Sequence, residues 1–215
     1  MLTIGYIGNG KSANRYHIPY VLTRDNIKIK TIYDLRVSHD VWKEVEGVNY
    51  TENIDDLLND SEIDLIVICT TPKTHYELAK KVLNAGKNVM VEKPFMPTYE
   101  QAKEIFDLAK SKNLFVQTYQ NRRYDSDFLT VQKVIESGKL GEVFEIVLTF
   151  DYWRPEVPLN STRVPYYDTL YYGHVVHTMD QIISYFGKPD KVKYELRHLC
   201  GEDKMNDYYD IDMYY

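Results

Sequence analysis

A ten-residue run near the amino terminus constrains the fold more than any other part of the sequence. Residues 4–13 read IGYIGNGKSA, an apolar stretch that ends in the pattern Gly8-x-Gly10-x-x-Ala13. This pattern predicts a buried strand, a tight turn and a helix. Gly8 can bend where a side chain would clash, Gly10 lets a pyrophosphate approach the backbone, and Ala13 lets the helix pack close to the strand. Because the start of such a helix favours a phosphate anion, we predict a dinucleotide cofactor here.

An acidic residue follows the next predicted strand, residues 27–33. In that position Asp34 can accept hydrogen bonds from both ribose hydroxyls of NAD, and it would repel the 2′-phosphate of NADP. Arg36 can instead hold that phosphate with its guanidinium group. The pattern therefore predicts NAD or NADP, with NAD favoured. The alternative is that Asp34 and Arg36 are a solvated turn pair.

Strand and helix patterns alternate over the first 120 residues. The predicted strands are residues 2–7, 27–33, 65–69, 88–91 and 114–117. Two capping boxes, Thr74 with Glu77 and Thr98 with Gln101, predict the starts of two of the intervening helices. Because such alternation gives a parallel sheet covered by helices on both faces, we predict an α/β fold with a doubly wound Rossmann sheet over residues 1–120.

The pattern changes in residues 121–215. Helices are predicted over residues 125–137 and 169–186, a loop over 154–167, and strands over 143–150, 191–199 and 208–215. We predict a smaller α/β domain with a mixed or antiparallel sheet. Since the sequence ends inside a strand pattern, we expect this sheet to be truncated or to be completed by another subunit.

Composition narrows the class of protein. The chain has 215 residues, 44% of them hydrophobic, and a net charge of −6, which argues against broad nucleic-acid binding. Apolar runs such as residues 65–69 are too short to span a bilayer, and residues 1–4 lack the basic start of a signal peptide. The two cysteines are expected to be reduced thiols. We therefore expect a cytoplasmic protein that binds neither nucleic acid nor membrane.

The tripeptide Glu92-Lys93-Pro94 follows the predicted strand 88–91. Ligands of open α/β sheets bind beyond the carboxyl ends of the strands, so Lys93 is expected where a nicotinamide and a substrate would meet. A partly desolvated lysine there can hydrogen-bond a substrate oxygen and tune its proton loss. Glu92 can hold the ammonium in place and is also predicted to contact the cofactor. Pro94 can lock the turn. The alternative is a surface Glu-Lys pair before a proline.

Polar residues also follow the two neighbouring predicted strands. Thr71, Pro72 and His75 come after strand 65–69, where they would lie beside the cofactor. Asn121 and Arg122 come after strand 114–117 and can donate hydrogen bonds to a polyhydroxylated or anionic substrate. Ion pairs between the domains are an equally good reading of the arginines.

Three titratable residues lie at spacings of three on the helix predicted over residues 169–186. They are His174, His177 and Asp180, which share one helix face. We predict that His177 is an acid/base group, with Tyr172 and His174 as substrate contacts. A metal site is not predicted, because such sites need three or four converging ligands with fixed outer partners. The histidines could equally pack against the abundant nearby tyrosines.

Together these motifs resemble the glucose–fructose oxidoreductase, inositol dehydrogenase and rhizopine-catabolism (Gfo/Idh/MocA) family of NAD(P)-dependent oxidoreductases. The resemblance rests on Gly8-x-Gly10-x-x-Ala13, His17-Ile18-Pro19, Thr71-Pro72-x-x-His75, Glu92-Lys93-Pro94, Asn121-Arg122-Arg123 and His177-Thr178-Met179-Asp180. It implies hydride transfer between a nicotinamide and a hydroxyl-bearing carbon of a sugar-, inositol- or polyol-like substrate. It also implies that residues 121–215 serve substrate binding and pair subunits into a homodimer or higher oligomer.

The family resemblance assigns roles to two residues and shows one departure. Lys93 and His177 match the family's catalytic lysine and histidine. Many members carry an aspartate four residues before that histidine, where this chain has Gly173. The departure keeps two alternatives open: a non-catalytic module that binds NAD(H) or senses its redox state, and a small-molecule binder without redox use.

Overall fold

Six short runs of the first 119 residues pair into one parallel sheet. The computed structural model describes residues 1–35, 42–165 and 169–215, which form two compact units, Met1–Tyr119 and Gln120–Tyr215. The strands of the first unit are β1 (Leu2–Ile7), β2 (Ile27–Tyr33), β3 (Asn49–Thr51), β4 (Leu65–Ile68), β5 (Asn88–Val91) and β6 (Val116–Thr118). Their order in the sheet is β3-β2-β1-β4-β5-β6, which is the doubly wound Rossmann order, so the predicted fold class is confirmed.

Helices cover both faces of this sheet. They are α1 (Ile18–Val21), α2 (Asp55–Leu58), α3 (Pro72–Asn84) and α4 (Tyr99–Ser111), and a π-helical segment, Ala13–His17, precedes α1. Successive residues of a strand point to opposite faces, and β1 follows this rule. Ile7 packs into one buried cluster with Leu57 and Val82, whereas Tyr6 packs into another with Ala13 and Ile32. Burial of apolar side chains on both faces stabilises the sheet.

One of the two predicted helix caps is confirmed and the other is wrong. At α4 the Thr98 side chain accepts a hydrogen bond from the Gln101 amide at 3.2 Å. The other helix, α3, begins at Pro72 with Thr71 as its N-cap, so Thr74 lies inside the first turn instead of capping it. Proline suits the first turn because its φ angle is already helical and the missing N–H would have no helical partner.

The second unit contains helices and a hairpin. A 3₁₀ turn, Asn121–Tyr124, leads into α5 (Ser126–Glu136), followed by α6 (Glu156–Asn160) and α7 (Leu170–Phe186). Strands β7 (Lys191–Arg197) and β8 (Tyr208–Tyr214) pair antiparallel, with Lys191 opposite Tyr214 and Arg197 opposite Tyr208. The predicted antiparallel pairing is therefore present. Within the described part of the chain, no helix combines the length and the apolar character that a membrane span requires.

Two predictions for the second unit are wrong. Residues 143–150 form no strand with any described part of the chain, although their polarity alternates. A strand is held by ladder hydrogen bonds to a neighbour, and the described partner of β7 is β8. The other error is α6, which lies inside the segment predicted to be a loop. Pro158 is buried in this short helix.

Candidate active site at the carboxyl edge of the sheet

The carboxyl ends of five adjacent strands lie in register. Ile7 pairs with Tyr33 and with Ile68, which pairs with Val91, which in turn pairs with Thr118. The next residue of each strand continues the ladder, since the following amides donate to neighbouring carbonyls at 2.7–3.1 Å: Gly8, Asp34, Cys69, Glu92 and Tyr119. The first unit therefore presents the glycine turn, Asp34, Thr71 and Glu92-Lys93 along one edge, where ligands of such sheets bind.

The glycine turn has a closed side and an open side. A Cβ built on Gly8 would lie 2.8 Å from the Cys69 carbonyl oxygen, and the Gly8 φ of +103° disfavours any side chain. A Cβ built on Gly10 would meet no atom of residues 1–35, 42–165 or 169–215 within 4 Å. Ala13 is fully buried, so the helical segment packs closely on the sheet. The turn therefore leaves room at Gly10 for a diphosphate to reach the backbone, as the sequence predicts.

Asp34 lies beside this turn. Its Oδ2 atom accepts a hydrogen bond from the Asn9 amide at 2.7 Å. This contact joins the end of β2 to the Gly8–Gly10 turn and fixes a carboxylate next to the proposed diphosphate position. Arg36, the second residue of the predicted cofactor pair, lies outside the described residues.

A buried histidine–glutamate pair connects the first helix to the residue before Lys93. Residues 11–21 are helical, but the backbone widens to π-helix over Ala13–His17, which leaves His17 only 4% exposed. His17 Nε2 donates to Glu92 Oε1 at 2.8 Å, and Glu92 is also only 4% exposed. π-Helical turns often occur at functional sites. Glu92, predicted to contact the cofactor, thus has a buried partner that the sequence analysis did not assign.

Lys93 is half-buried at the start of a turn. Its backbone amide donates to Glu92 Oε2 at 2.9 Å, and the Lys93–Pro94 peptide bond is cis. The Glu92 carboxylate therefore holds the Lys93 main chain. Burial raises the pKa of the nearby Cys69 thiol well above its usual value, and the charge of Glu92 adds to this effect.

His75 is fully buried and bridges the loops after β4 and β5. Its Nδ1 lies 2.9 Å from the Pro94 carbonyl oxygen and 3.1 Å from that of Phe95, while Nε2 lies 3.2 Å from that of Thr70. Burial lowers the pKa of His75, and the carbonyl contacts oppose that effect. A cofactor role for His75 would be indirect, through the loops that it joins.

The two other predicted cofactor residues lie at the start of α3. Thr71 is exposed and accepts hydrogen bonds at its carbonyl from the Thr74 amide at 3.0 Å and the Thr74 hydroxyl at 2.9 Å. Pro72 is the first residue of the helix. Both therefore lie at the ligand-binding edge, and Thr71 presents its side chain to solvent.

Arg122 and Arg123 form ion pairs within the second unit. Arg123 binds Asp180 through two hydrogen bonds of 2.7 and 2.6 Å, a geometry that clamps the 3₁₀ turn to α7. Arg122 binds Asp125 at 2.9 Å and lies over the Phe150 ring. The predicted substrate contact of Arg122 therefore competes with an internal one. Asn121, half-buried, begins the same turn.

Helix α7 carries the other predicted residues. His177 is 6% exposed, whereas His174 is half-buried with its ring 5.0 Å from Tyr152 and 5.7 Å from Phe150. His174 thus packs against aromatic rings, which agrees with the alternative interpretation that the histidines pack against nearby tyrosines. The Tyr172 amide donates to the Thr169 cap at 3.2 Å. No group of three His, Cys, Asp or Glu residues in the described ranges could hold a metal ion.

The aromatic packing around His17 was not predicted from the sequence. The His17 ring stacks on Tyr119, with centroids 3.9 Å apart and planes 30° apart. The Tyr119 hydroxyl donates to the Tyr16 carbonyl at 2.8 Å, and burial together with the charge of Glu92 raises the pKa of Tyr119 to about 12. The only signal in the sequence was the place of His17 in the motif that follows the glycine turn.

Comparison with known proteins defines the class of this chain. Residues 2–120 match the profile of the oxidoreductase family with an NAD-binding Rossmann fold, and residues 128–215 match the GFO/IDH/MocA C-terminal domain. The chain belongs to the Gfo/Idh/MocA family of oxidoreductases. This confirms the resemblance that the sequence motifs indicated.

Individual relatives agree with this assignment. The chain is 47% identical to the uncharacterized oxidoreductase YhhX of Escherichia coli, over all of this chain and 62% of the relative. It is 27% identical to the scyllo-inositol 2-dehydrogenase (NADP(+)) IolW of Bacillus subtilis, over all of this chain and 60% of IolW. The crystal structure of an oxidoreductase from Bacillus cereus, 47% identical, superposes with a TM-score of 0.93 over all of this chain and 61% of that one. The chain thus spans about three-fifths of the length of these relatives.

Proposed function

We propose that this protein is an NAD(P)-dependent oxidoreductase that moves a hydride between the nicotinamide and a hydroxyl-bearing carbon of a sugar-, inositol- or polyol-like substrate. The observation that carries this proposal is the alignment of the Gly8–Gly10 turn, Asp34 and Lys93 along one edge of the parallel sheet. The substrate class is supported by the name of the Bacillus subtilis relative, a scyllo-inositol 2-dehydrogenase.

Each proposed residue has a definite task. The backbone at Gly10 receives the diphosphate, and the Asp34 carboxylate accepts hydrogen bonds from the ribose hydroxyls. When bound, the nicotinamide supplies the hydride acceptor or donor at its C4 atom. Lys93 hydrogen-bonds the reacting substrate oxygen. In the oxidative direction His177 takes the hydroxyl proton as the carbon–hydrogen bond breaks, and in the reductive direction it returns that proton to the carbonyl oxygen.

The test combines turnover and cofactor binding. The intact protein is given inositols and hexoses with NAD or NADP, and the absorbance of the reduced nicotinamide is followed. We expect turnover that Lys93→Ala abolishes, while the NADH dissociation constant changes by less than about threefold, because Lys93 acts on the substrate and not on the dinucleotide. Lys80→Ala is the matched control, since Lys80 pairs with Glu104 at 2.7 Å on the helices instead. Unchanged turnover in Lys93→Ala would refute the assignment; tight NADH binding without turnover on any substrate would indicate the non-catalytic module.

We further propose that NAD is preferred over NADP. Support comes from Asp34, whose carboxylate the Asn9 amide holds beside the turn, where it would repel a 2′-phosphate. Asp34→Asn keeps an acceptor for that amide but removes the charge. We expect it to weaken NADH binding and strengthen NADPH binding, with the affinity ratio changing by about tenfold or more, measured by nicotinamide fluorescence. A ratio unchanged from that of the unsubstituted protein would contradict the proposed role of Asp34.

We also propose a homo-oligomer that pairs through the sheet of the second unit. All seven residues of β7 are exposed, including Tyr194, which is 70% exposed. Tyr194→Asp should lower the mass measured by light scattering to that of a single subunit. Lys193→Asp, on the opposite face of the same strand, is the control and should leave the mass unchanged.

A further inference from the structure

Both carboxylate oxygens of Glu92 are engaged by specific partners. Oε1 accepts from His17 Nε2 at 2.8 Å, and Oε2 accepts from the Lys93 amide at 2.9 Å. Because Glu92 is 4% exposed, water cannot readily replace either partner. The orientation of the carboxylate therefore depends on His17, and the Lys93 main chain depends on that orientation.

His17 is itself held from two sides. Its ring stacks on Tyr119 at 3.9 Å and meets the edge of the Tyr6 ring at 6.0 Å, with 79° between the planes. The hydrogen bond from the Tyr119 hydroxyl to the Tyr16 carbonyl ties the stacked ring back to the segment that carries His17. A ring fixed in this way offers its Nε2 atom in one direction only.

We propose that His17 is a positioning residue for Lys93, acting through the Glu92 carboxylate. The inference rests on the proposed function, because it gives His17 a purpose only if Lys93 contacts the substrate. The path runs from the π-helical segment after β1 to the residue after β5, so it joins the proposed cofactor turn to the proposed catalytic lysine across the sheet edge.

The physical consequence of removing His17 follows from burial. A buried carboxylate that loses one of its two partners must rotate toward another donor, take up a proton or admit water. Each response changes the acceptor offered to the Lys93 amide. A displacement of the lysine by about 1 Å is enough to lower a rate by about 100-fold while leaving the binding of cofactor unaffected.

Two amide substitutions of His17 test whether a donor that reaches Glu92 is required. His17→Gln can place an amide nitrogen close to the position of Nε2, whereas the shorter His17→Asn cannot. Both are polar and uncharged. We expect His17→Asn to lower kcat by about 10- to 100-fold with KM and the NADH dissociation constant changed by less than about threefold, and His17→Gln to recover most of kcat. Equal kcat in both variants and in the unsubstituted protein would overturn the proposal.

A second measurement does not require turnover. Trace acetylation with acetic anhydride, followed by mass spectrometry, reports the reactivity of each lysine. We expect the reactivity of Lys93, relative to that of Lys80, to change by about threefold or more in His17→Asn and to return in His17→Gln. If the unsubstituted protein turns over no substrate, the proposed function fails while this experiment still decides whether His17 positions Lys93. Unchanged relative reactivity would refute the positioning role.

A double variant covers the case in which His17→Asn folds poorly. His17→Phe combined with Glu92→Leu replaces the buried pair by apolar side chains of similar size, a change that proteins often tolerate. It cannot supply an acceptor to the Lys93 amide. We expect a melting temperature close to the original and the same change in Lys93 reactivity; original reactivity in a folded double variant would overturn the proposal.

Discussion

Alanine substitutions at Gly8 and Gly10 test the role of the turn in folding separately from its role in cofactor binding. In Gly8→Ala the new Cβ would lie 2.8 Å from the Cys69 carbonyl oxygen and 3.0 Å from its carbon, both backbone atoms that cannot rotate away. The strand ends of β1 and β4 must therefore shift. The φ of +103° adds strain, because alanine rarely adopts it.

The magnitude can be estimated from these two terms. A residue held in an unfavourable φ region costs about 1–3 kcal/mol, and forcing an extra carbon into packed structure costs about 1–3 kcal/mol more. Gly8→Ala should therefore lower the free energy of unfolding by about 4 kcal/mol, or the melting temperature by roughly 10 °C for a chain of this size. In Gly10→Ala the new Cβ would lie more than 4 Å from every other side chain and backbone atom in the described part of the chain, so the free energy of unfolding should change by less than about 1 kcal/mol.

Cofactor binding should respond directly to the substitution at Gly10. In Gly10→Ala the folded protein keeps its stability but presents a methyl group where the diphosphate approaches, so the NADH dissociation constant should rise by about tenfold or more. Thermal and urea unfolding measure the first effect, and nicotinamide fluorescence measures the second. A Gly8→Ala protein as stable as the original, or a Gly10→Ala protein with unchanged NADH affinity, would refute this account of the turn.

Three further predictions concern stability. The pKa of His75 is lower in the folded chain than the usual value of about 6.5, so the unfolded chain binds more protons and the free energy of unfolding should fall as the pH drops below about 6.5; His75→Asn should show a shallower dependence in urea titrations at several pH values. Thr98→Ala removes the acceptor for the Gln101 amide and should cost about 1 kcal/mol in the same assay, whereas Thr98→Ser should cost little. Gly173→Ala, whose Cβ would meet no atom of the described residues within 4 Å inside α7, should stabilise the protein by about 0.5–1 kcal/mol; a loss of stability would show that the position is packed.

The first unit was largely readable from the sequence because its strands are buried apolar runs. The bounds of β1, β2 and β5 match the prediction residue for residue. Strand β3, with the sequence NYT, and α2, with DDLL, were missed because three or four residues carry no usable period. The start of α3 was misplaced because Thr74 and Glu77 fit a capping box, whereas Pro72 occupies the first helical position and makes Thr71 the N-cap.

The candidate site was predicted as a set of positions but not as a network. The sequence indicates that Asp34, Glu92 and Lys93 follow strands, and parallel pairing then brings them to one edge. It does not indicate that the backbone widens over Ala13–His17 or that His17 turns inward to Glu92, because both depend on packing between elements distant in the chain. The strand prediction for residues 143–150 is wrong for a different reason. Alternating polarity gives a strand only where a neighbouring strand supplies the ladder hydrogen bonds.

The hydrogen bonds of His75 couple the two loops that follow β4 and β5 at the sheet edge. Its ring is held by the carbonyl of Thr70 on one side and by those of Pro94 and Phe95 on the other. The crossing from β4 into α3 and the turn that begins at Lys93 therefore cannot part without exposing buried carbonyl groups. Displacement of either loop should therefore displace the other. Amide hydrogens on both loops should exchange with solvent in a single opening event.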